Sequence, residues 1–184
     1  MTRIACVGIA VMDYLFTVAA LPSGDGKVYA SRFEAIGVGV AANSAYAVAR
    51  LGAEAQYFGR VGDDLTGRTI LTELTTAGVD TSQVQEIPGV ASPVSAVLVD
   101  SAGERLIVNH TDGRLFDGGD LAHVAAAAEA DCVLVDVRWP AAAALVLKTA
   151  RSRGIPSVFD FDRPMDDRGS ESVSYTHLTL PTKV

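Results

Sequence analysis

The sequence predicts an α/β fold in which helices cover a parallel β-sheet and the chain also forms two β-hairpins. Short, continuously apolar runs of strand length alternate with helical patterns, at residues 4–8, 55–58, 132–137 and 156–161. Such runs are typical of parallel strands that are buried on both faces. In addition, two pairs of β-branched runs are each joined by a cluster of turn-forming residues, which is typical of hairpins.

The first half of the chain begins with a strand and closes with a helix. Residues 4–8 are interpreted as a strand rather than as part of a signal peptide, because Asp13 interrupts the apolar run. Two β-like pieces, 14–18 and 28–33, flank a turn-rich stretch and predict a hairpin near residues 14–36. An alanine-rich amphipathic helix that ends at Leu51 follows. After it come a strand at residues 55–58, a loop at residues 59–64 and a helix at residues 65–77, which is closed by Gly78.

The second half begins with a hairpin near residues 94–109, whose turn lies at residues 100–103. It continues as helix, strand, helix and strand, at residues 121–130, 132–137, 141–153 and 156–161. Residues 1–163 are therefore predicted to form one continuous structural unit. From about Gly169 the chain is polar and threonine-rich, and we interpret residues 164–184 as a non-native or disordered tail.

Composition excludes several classes of function. With 49% hydrophobic residues in 184, the chain has ample material for a core. A formal net charge of -7 argues against binding to nucleic acid or to an anionic membrane. No apolar run approaches the roughly 18 residues that a membrane span requires. Cys6 and Cys132 lie in apolar runs and are interpreted as reduced core thiols, which favours a cytoplasmic protein.

Common catalytic signatures are absent from the sequence. There is no Walker-type GxxxxGK[ST] segment and no HExxH segment. The three histidines, His110, His123 and His177, do not have the spacing of metal ligands. We therefore predict no metal site in this chain.

A glycine-punctuated loop that leads into the first helix is the best candidate for a binding site. Gly37, Gly39, Ala41 and Ala42 are small enough to let a backbone approach a ligand closely. Asn43 stands at the head of the helix, where its polar side chain is able to contact the same ligand. This stretch is predicted to form a wall of a small-molecule site.

The same stretch resembles the ribokinase-like (PfkB) carbohydrate kinases. In that family a G-G-x-x-x-N-x-A loop leads into a helix ending in L-G, and a G-x-V-G-x-D-x-x-G segment follows. Three segments match in order and spacing, through Gly39, Asn43, Ala45, Leu51, Gly52, Gly59, Val61, Gly62, Asp64 and Gly67. One position departs from the pattern, because Val38 replaces the first glycine of the pair.

The resemblance implies a ribokinase-like layered fold, with the parallel sheet as its core and the hairpins as a small β-sheet lid over the sugar. It implies a sugar substrate, ATP and Mg2+ as cofactors, and a homodimer formed through the lid. Asp13, Gly39 and Asn43 occupy positions that contact the sugar in this family. The resemblance covers residues 3–163, the first half of such a kinase, so the catalytic base and anion hole are expected in a missing second half. We therefore expect this chain to be an inactive fragment.

Three further residues indicate an anionic substrate. Ribose-type members carry a Glu where this chain has Arg138, and a fixed cation suits an anionic group. The sequence is most similar to the 6-deoxy-6-sulfofructose kinases, in which a Lys, an Asn and an Arg hold the sulfonate, at positions matched by Lys27, Asn109 and Arg138. Alternatively, Lys27 is a solvated turn residue and Arg138 pairs with Asp136 or Asp160.

Three other functions remain open at this point. The parent enzyme is alternatively a kinase of another ketose or of a nucleoside. Gly37, Gly39 and Ala42 also spell G-x-G-x-x-A, the fingerprint of an NAD-dependent oxidoreductase, although that fingerprint should follow the first strand of a βαβ unit. A noncatalytic sugar-binding fragment is the third alternative.

Overall fold

A computed structural model describes residues 1–117 and 121–161. The α-helices of this part are α1 (Val40–Arg50), α2 (Leu65–Thr76) and α3 (Pro140–Arg153). The strands are β1 (Arg3–Val7), β2 (Val11–Thr17), β3 (Arg32–Val38), β4 (Glu54–Phe58), β5 (Arg60–Gly62), β6 (Val79–Asp80), β7 (Gln85–Ile87), β8 (Val94–Val99), β9 (Arg105–His110), β10 (Cys132–Asp136) and β11 (Ser157–Asp160). The predicted tail, residues 164–184, lies outside the described residues.

The core is a parallel sheet of five strands in the order β11-β10-β1-β4-β6. Its two faces are covered by different helices. Successive side chains of a strand point to opposite faces, so alternate residues pack against each helix layer. On β1, Ala5 and Val7 pack in the cluster that contains α3, whereas Cys6 packs in the cluster that contains α1 and α2. The predicted α/β fold with a parallel core is thus confirmed.

The two predicted hairpins form one separate sheet in the order β3-β2-β8-β9. Each hairpin is antiparallel, and the parallel pairing of β2 with β8 joins them. The prediction placed the second strand of the first hairpin at residues 28–33, but β3 begins at Arg32, which pairs with Thr17. Tyr29, a residue type that favours strands, lies in the preceding connection and is 85% exposed, so its local preference did not decide the structure there.

Several short elements differ from the prediction. Residues 59–64 were predicted as a loop, but β5 within them pairs in parallel with β7. The predicted helix at residues 121–130 is a 3₁₀ segment, Ala122–Glu129, with a kink at Ala128. The buried residues of this segment are Val124, Ala127 and Ala128, and their three- and four-residue spacing also fits an α-helix. The sequence pattern therefore could not distinguish the two helix types. Cys6 and Cys132 are both free thiols, but only Cys6 lies in the core as predicted, whereas Cys132 is half-buried. No described helix is long and apolar enough to cross a membrane.

Candidate functional site

The residue Asp13, predicted to contact a sugar, lies on the separate four-stranded sheet. It is half-buried on β2, and burial raises the pKa of its carboxyl while a hydrogen bond from Ser95 lowers it. Asp13 pairs with Ser95 on β8, and Ser95 pairs with Asn109 on β9. Paired residues on adjacent strands share a face of the sheet, so these three side chains form one polar row.

Ser95 is the member of this polar row that sequence reasoning missed. It is a polar residue that is only 4% exposed, and the other five residues of β8 are all apolar. A lone hydroxyl within the run VSAVLV was the available signal, because buried polar groups need a partner. Ser95 links Asp13, expected to bind hydroxyls, to Asn109, expected to bind an anion.

Gly39 is held against the protein's own backbone. Its φ is 122°, and a Cβ at this position would lie 2.4 Å from the carbonyl oxygen of Ile9. The close approach predicted for this loop is therefore present, but the structure uses it to join the start of α1 to the connection between β1 and β2. Only glycine combines this conformation with this contact.

Asn43 lies in the first turn of α1 and is exposed. It shares a helix stripe with Tyr46 and Arg50, and this stripe lines a cleft of about 730 Å3 between β3, α1 and α2. Gly37 and Ile36 also line this cleft, whereas Asp13, Asn109 and Arg138 do not. Because Ile36 pairs with Asp13 across the sheet, the polar row and the cleft border one another.

Arg138 follows the carboxyl end of β10 in the core sheet. Its backbone N–H donates to Oδ1 of Asp136 at 2.8 Å. Burial raises the pKa of that carboxyl to about 6, and the positive charge of Arg138 acts in the opposite direction. The next residue, Trp139, is 1% exposed, and the guanidinium carbon of Arg60 lies 4.6 Å from the centre of its ring. The buried tryptophan anchors the backbone on which Arg138 stands.

Lys27 lies in the exposed connection between β2 and β3. The structure thus brings Asp13 and Asn109 into one row, and it places Asn43 at the neighbouring cleft. It leaves Lys27 on a loop and Arg138 just beyond the carboxyl end of β10 in the core sheet.

The G-x-V-G-x-D-x-x-G segment forms a structural junction. Asp64 caps α2 by accepting the N–H of Gly67 at 2.8 Å, and it also accepts the hydroxyl of Ser92 at 2.7 Å. Burial by itself would raise the pKa of Asp64, but these hydrogen bonds together lower it. A Cβ on Gly62 would lie 2.1 Å from the carbonyl oxygen of Val90. The spacing of this motif is explained by backbone packing.

The fold contradicts the dinucleotide fingerprint. Gly37 lies within β3 and Gly39 follows it, and β3 pairs antiparallel at the edge of the separate sheet rather than being the first strand of a parallel βαβ unit. The parallel βαβ unit that would present a pyrophosphate to the helix is therefore missing at this position. Among the described residues, no group of three His, Cys, Asp or Glu residues is placed to hold a metal ion.

Comparisons with known proteins agree with one another. A sequence profile described as pfkB family carbohydrate kinase matches residues 1–183. An ATP-dependent ribose-1-phosphate kinase from Halopiger xanaduensis is 31% identical over 91% of this chain and 57% of its own length. A ribokinase from Bacillus subtilis is 31% identical over 59% of this chain and 37% of its own length.

Solved structures give the same result. A protein from Agrobacterium tumefaciens, provisionally named a ribokinase, is 40% identical with a TM-score of 0.85, over 95% of this chain and 57% of that one. A ribokinase from Cryptococcus neoformans var. grubii, solved in complex with ADP, is 25% identical with a TM-score of 0.64, over 86% of this chain and 49% of that one. The chain thus spans about half the length of these structures.

Proposed function

Because this chain belongs to the pfkB family of carbohydrate kinases, we propose that it forms the sugar-binding part of an enzyme that transfers a phosphoryl group from ATP to a sugar hydroxyl. The observation that carries this proposal is the polar row formed by Asp13, Ser95 and Asn109. The row runs across a sheet that stands apart from the core and borders the start of α1. A lid of this kind excludes water, which competes with the sugar as phosphoryl acceptor.

Each member of the site has a chemical role in this proposal. The carboxylate of Asp13 accepts hydrogen bonds from sugar hydroxyls, and Ser95 fixes the orientation of that carboxylate. Asn43 contributes a second polar contact from the first turn of α1. Gly39 keeps α1 close to the strand that carries Asp13.

We propose a substrate with an anionic group, and 6-deoxy-6-sulfofructose is the first candidate. Its sulfonate would be bound by Lys27, Asn109 and Arg138, and its hydroxyls by Asp13 and Asn43. Two features support an anion: Arg138 is a cation just beyond the carboxyl end of β10, and Asn109 extends the polar row away from Asp13. A fixed guanidinium matches the geometry of an oxyanion.

A sugar phosphate is the second candidate. The Halopiger relative is named for a ribose-1-phosphate substrate, which also carries an oxyanion. A kinase of a neutral ketose or of a nucleoside would not need Arg138 as an anion contact. Binding of an anionic substrate should therefore depend on Arg138, whereas binding of a neutral ketose or nucleoside should not.

ATP and Mg2+ are the cofactors of the proposed reaction, and the Cryptococcus ribokinase was solved with ADP. No group of three His, Cys, Asp or Glu residues in the described part of the chain is placed to hold a metal ion, and we assign no step at these residues to either cofactor. We likewise assign no catalytic base to them. We expect the 184-residue chain alone to show no sugar-dependent ATP turnover, because phosphoryl transfer needs a base and charge stabilisation beside the acceptor hydroxyl.

We also propose a homodimer formed through the lid. All six residues of β9 are exposed, and Ile107 and Val108 are 48% and 61% exposed. An exposed apolar edge strand is a template for pairing with a second chain. A second copy of the lid would cover this edge.

Calorimetric titration of the chain with four ligands tests the substrate proposal. We expect 6-deoxy-6-sulfofructose to bind at least about tenfold more tightly than fructose, since charge-assisted hydrogen bonds contribute about 1.5–3 kcal/mol. Tighter binding of ribose 1-phosphate would favour the second candidate. Equal binding of fructose and sulfofructose would contradict the anion site, and binding of NADH alone would contradict a sugar site altogether.

A further inference from the structure

The carboxyl group of Asp136 occupies the point where three segments of the proposed site meet. Asp136 is the last residue of β10 and is 1% exposed. Its Oδ2 accepts the N–H of Ile9 at 2.8 Å and the N–H of Ala41 at 3.2 Å, and its Oδ1 accepts the N–H of Arg138 at 2.8 Å. Each donor belongs to a different segment.

The three donors lead directly to proposed substrate contacts. Ile9 lies in the connection between β1 and β2, the strand that carries Asp13. Ala41 lies in the first turn of α1, two residues before Asn43. The third donor is Arg138 itself. One side chain therefore ties the hydroxyl-binding segments to the anion-binding segment.

The hydrogen bond to Ala41 fills a gap in α1. The first N–H groups of a helix have no partners inside the helix. The N-cap residue is Gly39, which has no side chain to accept from them. Asp136 reaches from another strand to accept one of them, and its negative charge is also favoured at a helix N-terminus. The start of α1 is thus held by the core sheet.

The space around this carboxyl group admits little change. Gly8 has a φ of 153°, and a Cβ on it would lie 2.1 Å from Oδ2 of Asp136. The carbonyl oxygen of Gly8 accepts the hydroxyl of the buried Tyr57 at 2.8 Å. The backbone beside Asp136 is therefore fixed from both sides, and a movement of the carboxyl group would move the segments bonded to it.

We propose that Asp136 is a positioning residue of the sugar site, which sets the location of Asn43 and Arg138 relative to the strand that carries Asp13. The expected effect on sugar binding rests on the proposed function, whereas the effect on the position of the three segments does not. Asp136 does not touch the substrate in this arrangement, because its oxygens are occupied by backbone N–H groups. Its effect on binding comes through the three segments that it holds.

The test replaces Asp136 and compares the result with a matched control. Asp131 lies just before the opposite end of β10, where its Oδ2 accepts the N–H of Arg3 at 2.8 Å. Asp131→Ala thus removes a carboxylate–backbone hydrogen bond from the same strand region but away from the site, at an exposed position. Both variants of the 184-residue chain are studied by NMR, with amide exchange and the side-chain signals of Asn43 and Arg138 as readouts.

In Asp136→Ala we expect amide exchange at Ile9, Ala41 and Arg138 to accelerate at least about tenfold, and the two side-chain signals to shift. Affinity for 6-deoxy-6-sulfofructose should fall at least about tenfold, whereas Asp131→Ala should change neither the signals nor the affinity. If the alanine variant does not fold, Asp136→Asn replaces it. The amide of asparagine has a single acceptor oxygen, which can serve either Ile9 and Ala41 or Arg138. The segment that loses its hydrogen bond should then show faster amide exchange and shifted side-chain signals.

The outcomes separate this inference from the proposed function. Unmoved Asn43 and Arg138 signals, or unchanged sugar affinity in a variant whose amides exchange faster, would overturn the positioning role. If the unmodified chain binds no sugar of the panel, the proposed function fails for this chain. The positioning role is then decided by the side-chain signals alone, since a purely structural carboxylate would leave them in place.

Discussion

At the scale of single residues, the charged groups of the proposed site differ in how firmly they are held. Asp13 is held by its strand and by Ser95, and the backbone of Arg138 is held by its bond to Asp136 and by the buried Trp139 beside it. Lys27 stands on an exposed connection. A fixed ion loses less side-chain entropy on binding, so we expect Arg138 to contribute more to affinity than Lys27.

The first prediction concerns Arg138→Ala and Asp13→Ala. Arg138→Ala should weaken sulfofructose binding by about tenfold or more and leave fructose binding almost unchanged, because only the former carries the anion. Arg138→Glu should weaken it further, since it sets two negative charges together. Asp13→Ala should weaken both sugars, since both present the same hydroxyls. Calorimetric titration of the variants measures these affinities. An equal loss of affinity for both sugars in Arg138→Ala would contradict an anion contact and indicate a structural role for Arg138.

At the scale of elements, the junction around Asp64 explains why helix α2 begins where it does. The carboxylate caps the helix through Gly67 and binds both the N–H and the hydroxyl of Ser92. Ser92 in turn accepts the N–H of Gly62 on β5. The cap therefore connects a helix, a short strand and the segment that leads into β8 of the lid.

The second prediction is that Asp64→Ala lowers the free energy of unfolding by about 1–2 kcal/mol, the usual cost of losing an N-cap. Denaturant unfolding measured by circular dichroism gives this value. Asp25→Ala removes a carboxylate from an exposed connection and is the charge-matched control, for which we expect little change. A loss of the same size in both variants would attribute the effect to net charge rather than to the cap.

At the scale of the whole molecule, the lid carries the exposed apolar surface and the core carries the buried charge. The exposed large apolar residues of the lid lie mainly on its edge strands, at Phe33, Ile36, Leu106, Ile107 and Val108. In the core, Asp136 is a buried carboxyl whose pKa is raised to about 6, mainly by desolvation. The first feature affects assembly, and the second affects stability as a function of pH.

The third prediction is that Val108→Lys shifts the chain from dimer toward monomer. A lysine on an exposed edge strand is a common device against strand pairing. Sedimentation velocity over a range of concentrations measures the shift, and Val158→Lys on the exposed β11 of the core sheet is the control. A wild-type chain that stays monomeric at every concentration would remove the proposed lid dimer.

The fourth prediction concerns pH. The pKa of Asp136 in the folded state, about 6, exceeds the usual value of 3.8 that it has in the unfolded chain, so between these two values the folded state binds more protons than the unfolded state. Ionisation of Asp136 therefore destabilises the fold above pH 6, and this loss is relieved as the pH falls toward 4. The stability of wild type relative to Asp136→Asn should rise by about 2 kcal/mol between pH 7 and pH 4.5. A difference that is independent of pH would show that the carboxyl titrates normally.

The sequence by itself determined the class of fold and much of its order. Continuous apolar runs predicted the core strands β1, β4, β10 and β11, and turn residues predicted both hairpins, because these signals depend on local periodicity and backbone preference. The motif spacing of Gly39, Asn43 and Asp64 predicted the family. The short strands β5 and β7 had no such signal, since their residues pair only when the chain brings them together.

Tertiary structure alone decided which residues meet. The parallel pairing of β2 with β8 aligned Asp13 with Ser95, and no local pattern encodes the register of strands so distant in the chain. The meeting of Asp136 with Ile9 and Ala41 likewise depends on β10 lying beside β1 in the sheet. Periodicity specifies which face of an element is buried, whereas contacts between distant segments follow from the packing of all elements together.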